Sequence, residues 1–388
     1  MLKGVGLGAL ALVVVGSGAV GIRAATNGVF DSGEGTPYDL WTQWQSERGV
    51  GGIVAAGVLA ANPHNIQPWT FVVGTDSIDL YADPTRAMPI MDSDGRERMV
   101  GFGCAIENMA IAARARGLVA EVTPLPDANA GHIAHLALQP GVVPSTQDRA
   151  LAEAIGLRHS NRGPYASRSV SETALSTLTS DSPGLGEPTP DVVWITDTDR
   201  RRALGEMYVR ATQSIIDDTP MSEESFAWFR NDRSDIDRHR DGLTLDGQGM
   251  APAMLAAAKV LPAQSRSSGD AFWLKSTRDV HTATATAYGI LRVPDVANPQ
   301  SRLAGGRLIQ HIHLAATAQG IAMQHMNQIT ERIARDAALR QPDEYGPQWS
   351  HVIGIPQDEG LVSLRIGYPE RAAEPSPRRA LSDVTRTA

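Results

Sequence analysis

Two short runs in this chain concentrate side chains able to grip a planar ligand that carries a phosphate. The first is Asn62-Pro63-His64-Asn65-Ile66-Gln67-Pro68-Trp69, which sets two carboxamides ahead of an apolar stretch. In an extended segment Asn65 and Gln67 point to the same face. Each carboxamide offers donors and an acceptor, which suits the edge of a heterocycle that presents both. The second run is Arg158-His159-Ser160-Asn161-Arg162, with two guanidinium groups and a hydroxyl. Arginine presents a charged fork matched to phosphate oxygens. Taken alone, the first run reads equally as a turn before a strand, and the second as a solvated charge cluster.

Other chemistries find less to work with. Cys104 is the only cysteine, which excludes an intrachain disulfide and any multi-cysteine zinc or iron–sulfur site. Its helix-like surroundings point to a buried, inert thiol. His311 and His313 are two apart on an expected helix, hence on different faces, and do not make a zinc pair. No His-Glu-x-x-His, Gly-x-Ser-x-Gly or Gly-x-x-x-x-Gly-Lys-Ser/Thr occurs. No Gly-x-Gly-x-x-Gly follows a strand, so a dinucleotide-binding Rossmann fold has no support. His239-Arg240-Asp241 matches a kinase catalytic loop in letters alone, without a Gly-rich loop or Asp-Phe-Gly. The lack of an obvious nucleophile or general acid suits a protein whose cofactor performs the chemistry.

The elements that must position these runs follow from periodicity. A chain of 388 residues with 42% hydrophobic and 20% charged residues is an ordinary globular composition with room for two domain-sized units. Its net charge of −8 argues against a nucleic-acid partner. Residues 51–61 read as a helix stopped by Pro63. Trp69–Val73 and Ile78–Ala82 read as a hairpin, and Val100–Arg116 as a helix with Gly117 beyond its end and a strand after it. Residues 192–196 and 361–366 are further strand candidates. Ile111–Val119 aligns with Leu314–Ala322 at a constant offset of 203, with Ala112, Ala113, Ala115 and Gly117 matched by Ala315, Ala316, Ala318 and Gly320. An internal duplication explains this, and the strand–helix mixture gives an α+β architecture. The stretch 217–266 is expected to be an irregular, charged insertion that acts as a lid. At the N-terminus, residues 1–30 contain the uncharged apolar run Val5–Ile22, read as a retained single membrane span in preference to a cleaved signal.

The first run resembles the Ser-x-x-Asn-x-Gln-Pro-Trp signature of the FMN-dependent nitroreductases, and the second resembles the Arg-Arg-Ser-x-Arg/Lys start of that family. Their order is inverted here. In that family the two segments come from neighbouring subunits, and a fused pair of halves would supply both from one chain. This resembles the Acg-type branch. The resemblance implies a duplicated nitroreductase-like α+β fold with halves at 31–150 and 151–388, acting as a monomeric pseudo-dimer with one FMN. It further implies that Arg158 and Ser160 hold the phosphate and ribityl, and that Arg162 reaches the pyrimidine edge. Asn62, Pro63, His64, Asn65 and Gln67 would lie against the ring, with His159, Gly320 and the tail basics Arg378 and Arg379 completing the cofactor set. The implied activity is hydride transfer from NAD(P)H through FMN to a small acceptor. The apolar N-terminus is not part of that family's pattern and by itself gives the expectation of a protein anchored in a bacterial cell membrane by a single span. The alternative is a non-catalytic protein that stores a covered flavin.

Overall fold

The computed structural model describes residues 26–388 apart from 142 and 181–188. The expected span Val5–Ile22 lies outside the described residues, and no helix among the described residues is long and apolar enough to cross a membrane.

Helix α1 (Gly49–Val58) is buried along most of its length because nearly every side chain it carries is small or apolar. It ends at Val58, short of the expected Ala61, with the Leu59 N–H closing the last turn. The hairpin forms as expected from β1 (Trp69–Val73) and β2 (Ser77–Ala82), with Trp69 opposite Ala82. Helix α2 (Arg96–Ala115) follows, and Gly117 takes the left-handed φ of +80° that ends it. Strands β3 (Leu118–Asp127) and β4 (His132–Pro140) complete an antiparallel sheet. A capping box between Ser145 and Asp148 opens α3 (Thr146–Leu157).

The second sheet has the order β5-β8-β10-β9, from β5 (Asp191–Ile195), β8 (Ala287–Arg292), β9 (Ala322–His325) and β10 (Gly360–Gly367). Around it stand α4 (Thr198–Asp217), α5 (Pro299–Ala318) and α6 (Gln328–Leu339). At the end of the chain β11 (Thr385–Thr387) crosses back and pairs parallel with β1, placing Phe71 opposite Thr385. The first sheet therefore reads β11-β1-β2-β4-β3. This return brings the tail past the first sequence run, and periodicity gave no sign of it. The architecture is mixed α+β.

The insertion is not irregular. Residues 217–266 fold into helices Thr219–Ala227, Arg233–His239 and Pro252–Val260, with Arg266–Ser276 following. A parallel bridge joins β6 (Phe229–Arg230) to β7 (Leu243–Thr244). Much of its charge is consumed locally. Asp218 and Asp232 cap helices, while the buried Asp241 bridges Arg230 at 2.6 Å and Arg86 at 2.8 Å. The buried Lys259 pairs with Asp246 at 2.6 Å and donates to the Gly28 carbonyl at 2.8 Å. Dense charge excluded neither helix nor burial here, because the buried Asp241 and Asp246 each found a cation.

Helices α2 and α5 cross at Gly103 and Gly306. A Cβ on Gly103 would stand 2.3 Å from the Leu303 carbonyl oxygen, and one on Gly306 would stand 2.2 Å from that of Val100. These are backbone atoms and cannot swing aside. Beyond the crossing, the carboxylate of Glu107 accepts from Arg307 at 3.0 Å and meets His311 at 3.4 Å, while Gln310 donates to Asn108 at 2.7 Å. Under the offset of 203 Gly103 corresponds to Gly306, Val100 to Leu303, Glu107 to Gln310 and Asn108 to His311. Exchanging the two helices thus maps the Gly103–Leu303 approach onto Gly306–Val100 and the Glu107–His311 contact onto Gln310–Asn108. Either Gly103→Ala or Gly306→Ala should destabilise the fold by about 1–3 kcal/mol or more. Gly320→Ala, left-handed at φ +68° with nothing near its Cβ, should cost only about 1 kcal/mol. Thermal unfolding of the three variants checks the order; a milder effect at Gly306 than at Gly320 would contradict this close approach.

Candidate functional site

A cavity of about 260 Å³ opens between the α1–β1 connection, the first half of α2, the Arg158 run, the start of α6 and the folded insertion. At one end two guanidinium groups lie buried side by side. Arg158 and Arg378 are 2% and 3% exposed, and neither has a carboxylate partner among the described residues. Both stack over the Trp41 indole, at 5.5 and 4.6 Å from a ring centroid. His159 meets the same ring edge-on at 4.4 Å. Arg158 Nη2 donates to the Leu59 carbonyl at 3.0 Å, and Arg378 Nη2 to those of Leu59 and Ala60 at 3.4 and 3.3 Å. These carbonyls lie just beyond the C-terminus of α1, whose negative dipole end offsets part of the charge. The Nε atoms of both arginines remain buried without a partner. Burial pushes the Arg158 guanidinium down to about 10. Arg378 falls well below its usual range through burial and the neighbouring Arg158. His159 is held down to about 3 by burial, Arg158 and Arg378.

The Asn62–Gln67 run is not extended. His64, Asn65 and Gln67 take positive φ values of 44°, 54° and 49°, conformations that cost about 1 kcal/mol or more each unless their surroundings hold them. Hydrogen bonds supply that hold. Asn65 donates to the carbonyls of Gly242 and Pro377 and accepts from Arg378 Nη1 at 2.5 Å. Gln67 donates to the Arg240 carbonyl and accepts from the Arg379 N–H, both at 2.9 Å. Asn62 Oδ1 accepts from the Gln67 N–H at 2.8 Å. The two carboxamides therefore clamp the insertion and the returning tail to the turn, instead of pointing together at a ring edge.

Asn62, Pro63, His64, Asn65, Arg158, His159, Ser160, Arg162 and Arg378 all line the cavity. Three expected residues do not. Gln67 is fully buried in its clamp. Arg379 reaches Asp83 at 3.6 Å and donates to the Asp383 carbonyl, so the adjacent tail arginines turn to different sides. Gly320 sits at the far end of α5, where its left-handed φ ends the helix. Within the site, Arg162 donates to the Gly247 carbonyl at 3.0 Å and His64 meets Ser225 at 2.9 Å, tying both to the insertion. Burial and Arg162 hold His64 down to about 4. His311 and His313 part company, His311 meeting Glu107 and His313 lying 5.9 Å from the His325 ring.

Sequence reasoning missed the opposite end of the cavity. Glu97, in the first turn of α2, and Glu331, in the first turn of α6, line it together with Gln328 and Asn327. Burial, then Glu331 and Asp92, push Glu97 well above the usual carboxylate range. Burial and Asp92 push Glu331 up to about 7. A glutamate in a helix's first turn ordinarily faces water and favours the dipole by under about 1 kcal/mol at the surface; here desolvation outweighs that. The outer wall is aromatic, built by Phe226, Phe229, Phe272 and Trp273. The Phe226 and Phe229 rings are parallel within 2°, with centroids 6.4 Å apart.

The arrangement defines a class: a mixed α+β protein with a cavity that is cationic at one end, acidic at the other and aromatic on its outer side. No protein-family model matches the chain. It is 26% identical over 356 residues to "Putative NAD(P)H nitroreductase Rv3131" of Mycobacterium tuberculosis, an alignment covering 90% of this chain and 94% of that protein. It is also 32% identical over 108 residues to "Putative NAD(P)H nitroreductase acg" of the same organism, over 28% of this chain and 33% of that one. The chain is thus similar to proteins named putative NAD(P)H nitroreductases, the family its two runs resemble. Among solved structures, the nitroreductase NfnB of Mycobacterium smegmatis in complex with NADPH is 18% identical, covering 62% of this chain and 99% of its own, at a TM-score of 0.37. An FMN-bound nitroreductase of Desulfitobacterium hafniense matches at 14% identity, 62% and 98% coverage and the same TM-score.

The raised Glu331 pKa has a consequence for stability. A carboxyl whose folded pKa is raised binds more protons folded than unfolded between its ordinary value of 4.5 and about 7. Its contribution to stability therefore falls as pH rises through that window and is flat above it. Glu331→Gln removes the buried charge. The variant should be more stable than the parent at pH 8, by something on the order of 2 kcal/mol, with the difference shrinking as pH falls towards 4.5. Denaturant unfolding at both pH values checks this; a variant less stable at pH 8 would mean that the carboxylate is compensated.

Proposed function

We propose that this chain binds one FMN and passes hydride equivalents from NAD(P)H to a small electron acceptor. The observation that carries this reading is the buried, unpaired pair Arg158 and Arg378 on the Trp41 indole. An uncompensated buried charge costs several kcal/mol, and the two groups repel one another. A phosphate monoester would offset both charges and engage the orphaned Nε donors. FMN, when bound, supplies the hydride-accepting and hydride-donating chemistry. The protein's part is to bind and orient: Arg158 and Arg378 hold the phosphate, with Ser160 beside them. Arg162, steadied by the Gly247 carbonyl, stabilises negative charge developing at the ring edge. The aromatic residues of the insertion exclude water from the outer side.

In the same reading the chain is a duplicated unit, with halves at 31–150 and 151–388 that pack as a subunit pair would. Supporting it are the contacts across α2 and α5 that exchange under the offset of 203. Each half supplies one run of the site, the first Asn62–Trp69 and the second Arg158–Arg162.

Purified protein should take up one FMN per chain, followed by quenching of flavin fluorescence. Arg158→Ala and Arg378→Ala should each weaken binding by about 2–4 kcal/mol. Parental affinity in both variants would remove the phosphate assignment. Stopped-flow mixing of the yellow protein with NADPH and NADH tests turnover; a flavin that neither reduces would make the protein a flavin carrier.

A further inference from the structure

Strand β10 is buried along its whole length, yet it carries a charge. Arg365 is 0% exposed and stands in register with Gln324 on β9 and Tyr288 on β8. All three guanidinium nitrogens are engaged. Nε donates to Gln324 Oε1 at 2.7 Å. Nη1 reaches the Thr284 hydroxyl and the His281 carbonyl, both at 3.2 Å. Nη2 donates to the carbonyls of Gly163 and Asn161 at 2.7 and 3.2 Å. The guanidinium carbon lies 4.0 Å from the Tyr165 ring centroid. No carboxylate is among these partners. Taking such a cation out of water costs several kcal/mol, which an apolar side chain of similar size would not incur.

The two carbonyls on Nη2 flank Arg162. With the backbone held on both sides, the side chain between them lines the cavity and donates to the Gly247 carbonyl at 3.0 Å. The run itself lies along β9, where Ser160 bridges Met323 in parallel and the Asn161 N–H donates to the Met323 carbonyl at 3.0 Å. The Tyr165 hydroxyl donates to the Asn161 carbonyl, also at 3.0 Å, but touches one side of Arg162 only. Among the described residues, Arg365 is the side chain from outside the run that bonds both sides. Burial, then the neighbouring Arg365, pull the Arg162 guanidinium down to about 10. The two cations repel, and negative charge at the Arg162 end of the cavity offsets that repulsion.

We propose that Arg365 is a positioning residue that acts through Arg162, holding its guanidinium where negative charge reaches the flavin ring edge on reduction. Arg365 touches no ligand itself. Its fork spans two carbonyls at once, which a lysine's point charge cannot reproduce. The role rests on the FMN reading given above, and the position of Arg162 can be tested without flavin.

In cofactor-free protein, phenylglyoxal modification mapped by peptide mass spectrometry should reach Arg162 several-fold faster in Arg365→Met than in the parent. Arg158 should be modified at an unchanged rate. An unchanged Arg162 rate, or an equal rise at both arginines, overturns the positioning. The second arm measures affinity for oxidised and for reduced FMN. Arg365→Met should weaken binding of the reduced form about tenfold more than that of the oxidised form, a fall of about 30 mV in the two-electron potential. In an Arg162→Ala background the same substitution should produce no further shift. Equal weakening of both redox forms, or the same shift with and without Arg162, overturns the role. If Arg365→Met does not fold, Arg365→Lys is read in its place for the same pattern at smaller size. A parent that takes up no FMN removes the flavin reading and this role with it. A parent that takes up FMN, with no shift in the Arg365 variants, removes the role alone.

Discussion

The close approach of α2 and α5 at Gly103 and Gly306 is the constraint on which the rest of the molecule depends. Any side chain there would meet backbone oxygen at little over 2 Å, so the helices can pack at this distance only with hydrogen on both Cα atoms. That contact sits within the largest apolar core, which takes residues from α1, both sheets, α2 and α5. It also fixes the cavity floor, because Val100, Gly101 and Cys104 lie on the same stretch of α2. Widening the crossing would move that floor relative to Arg158 and to the start of α6.

From this floor the site is assembled by returns of the chain. The tail passes Asn65 and Gln67, whose carboxamides bind Pro377, Arg378 and Arg379, and then adds β11 to the first sheet. The insertion is clamped by the same two side chains through Gly242 and Arg240. The left-handed turn at 64–67 thus serves as a hub, and its strained backbone persists because several partners determine it. Its local cost is offset by fixing the cavity's outer wall and one of its two buried arginines.

Electrostatically the cavity is asymmetric. One end holds two cations without an anion, and the other holds a carboxyl pair without a cation. Both are expensive when dry, and both lie along one face of α2. A protein of net charge −8 has carboxylates to spare for Arg158 and Arg378, yet the described structure places none beside them.

Much of the fold was legible from local pattern. The period of α2, the hairpin β1–β2, the strands near 192 and 361, and glycine at the ends of α2 and α5 all follow from side-chain spacing and backbone freedom. Nine of the residues that the family resemblance singled out line the cavity, although spacing alone read the two runs equally as a turn and a charge cluster. The tertiary structure alone decided what those residues do. Whether Asn65 and Gln67 face a ligand or clamp the chain depended on where the insertion and tail return. Whether Arg378 or Arg379 enters the site depended on how the returning tail docks on Asn65 and Gln67. Glu97 and Glu331 read in sequence as ordinary first-turn glutamates, and only their burial in the folded chain raises both carboxyls above the usual range. The order of residues specifies local geometry, whereas desolvation and pairing are set by groups distant in the chain, and these determine charge and chemistry.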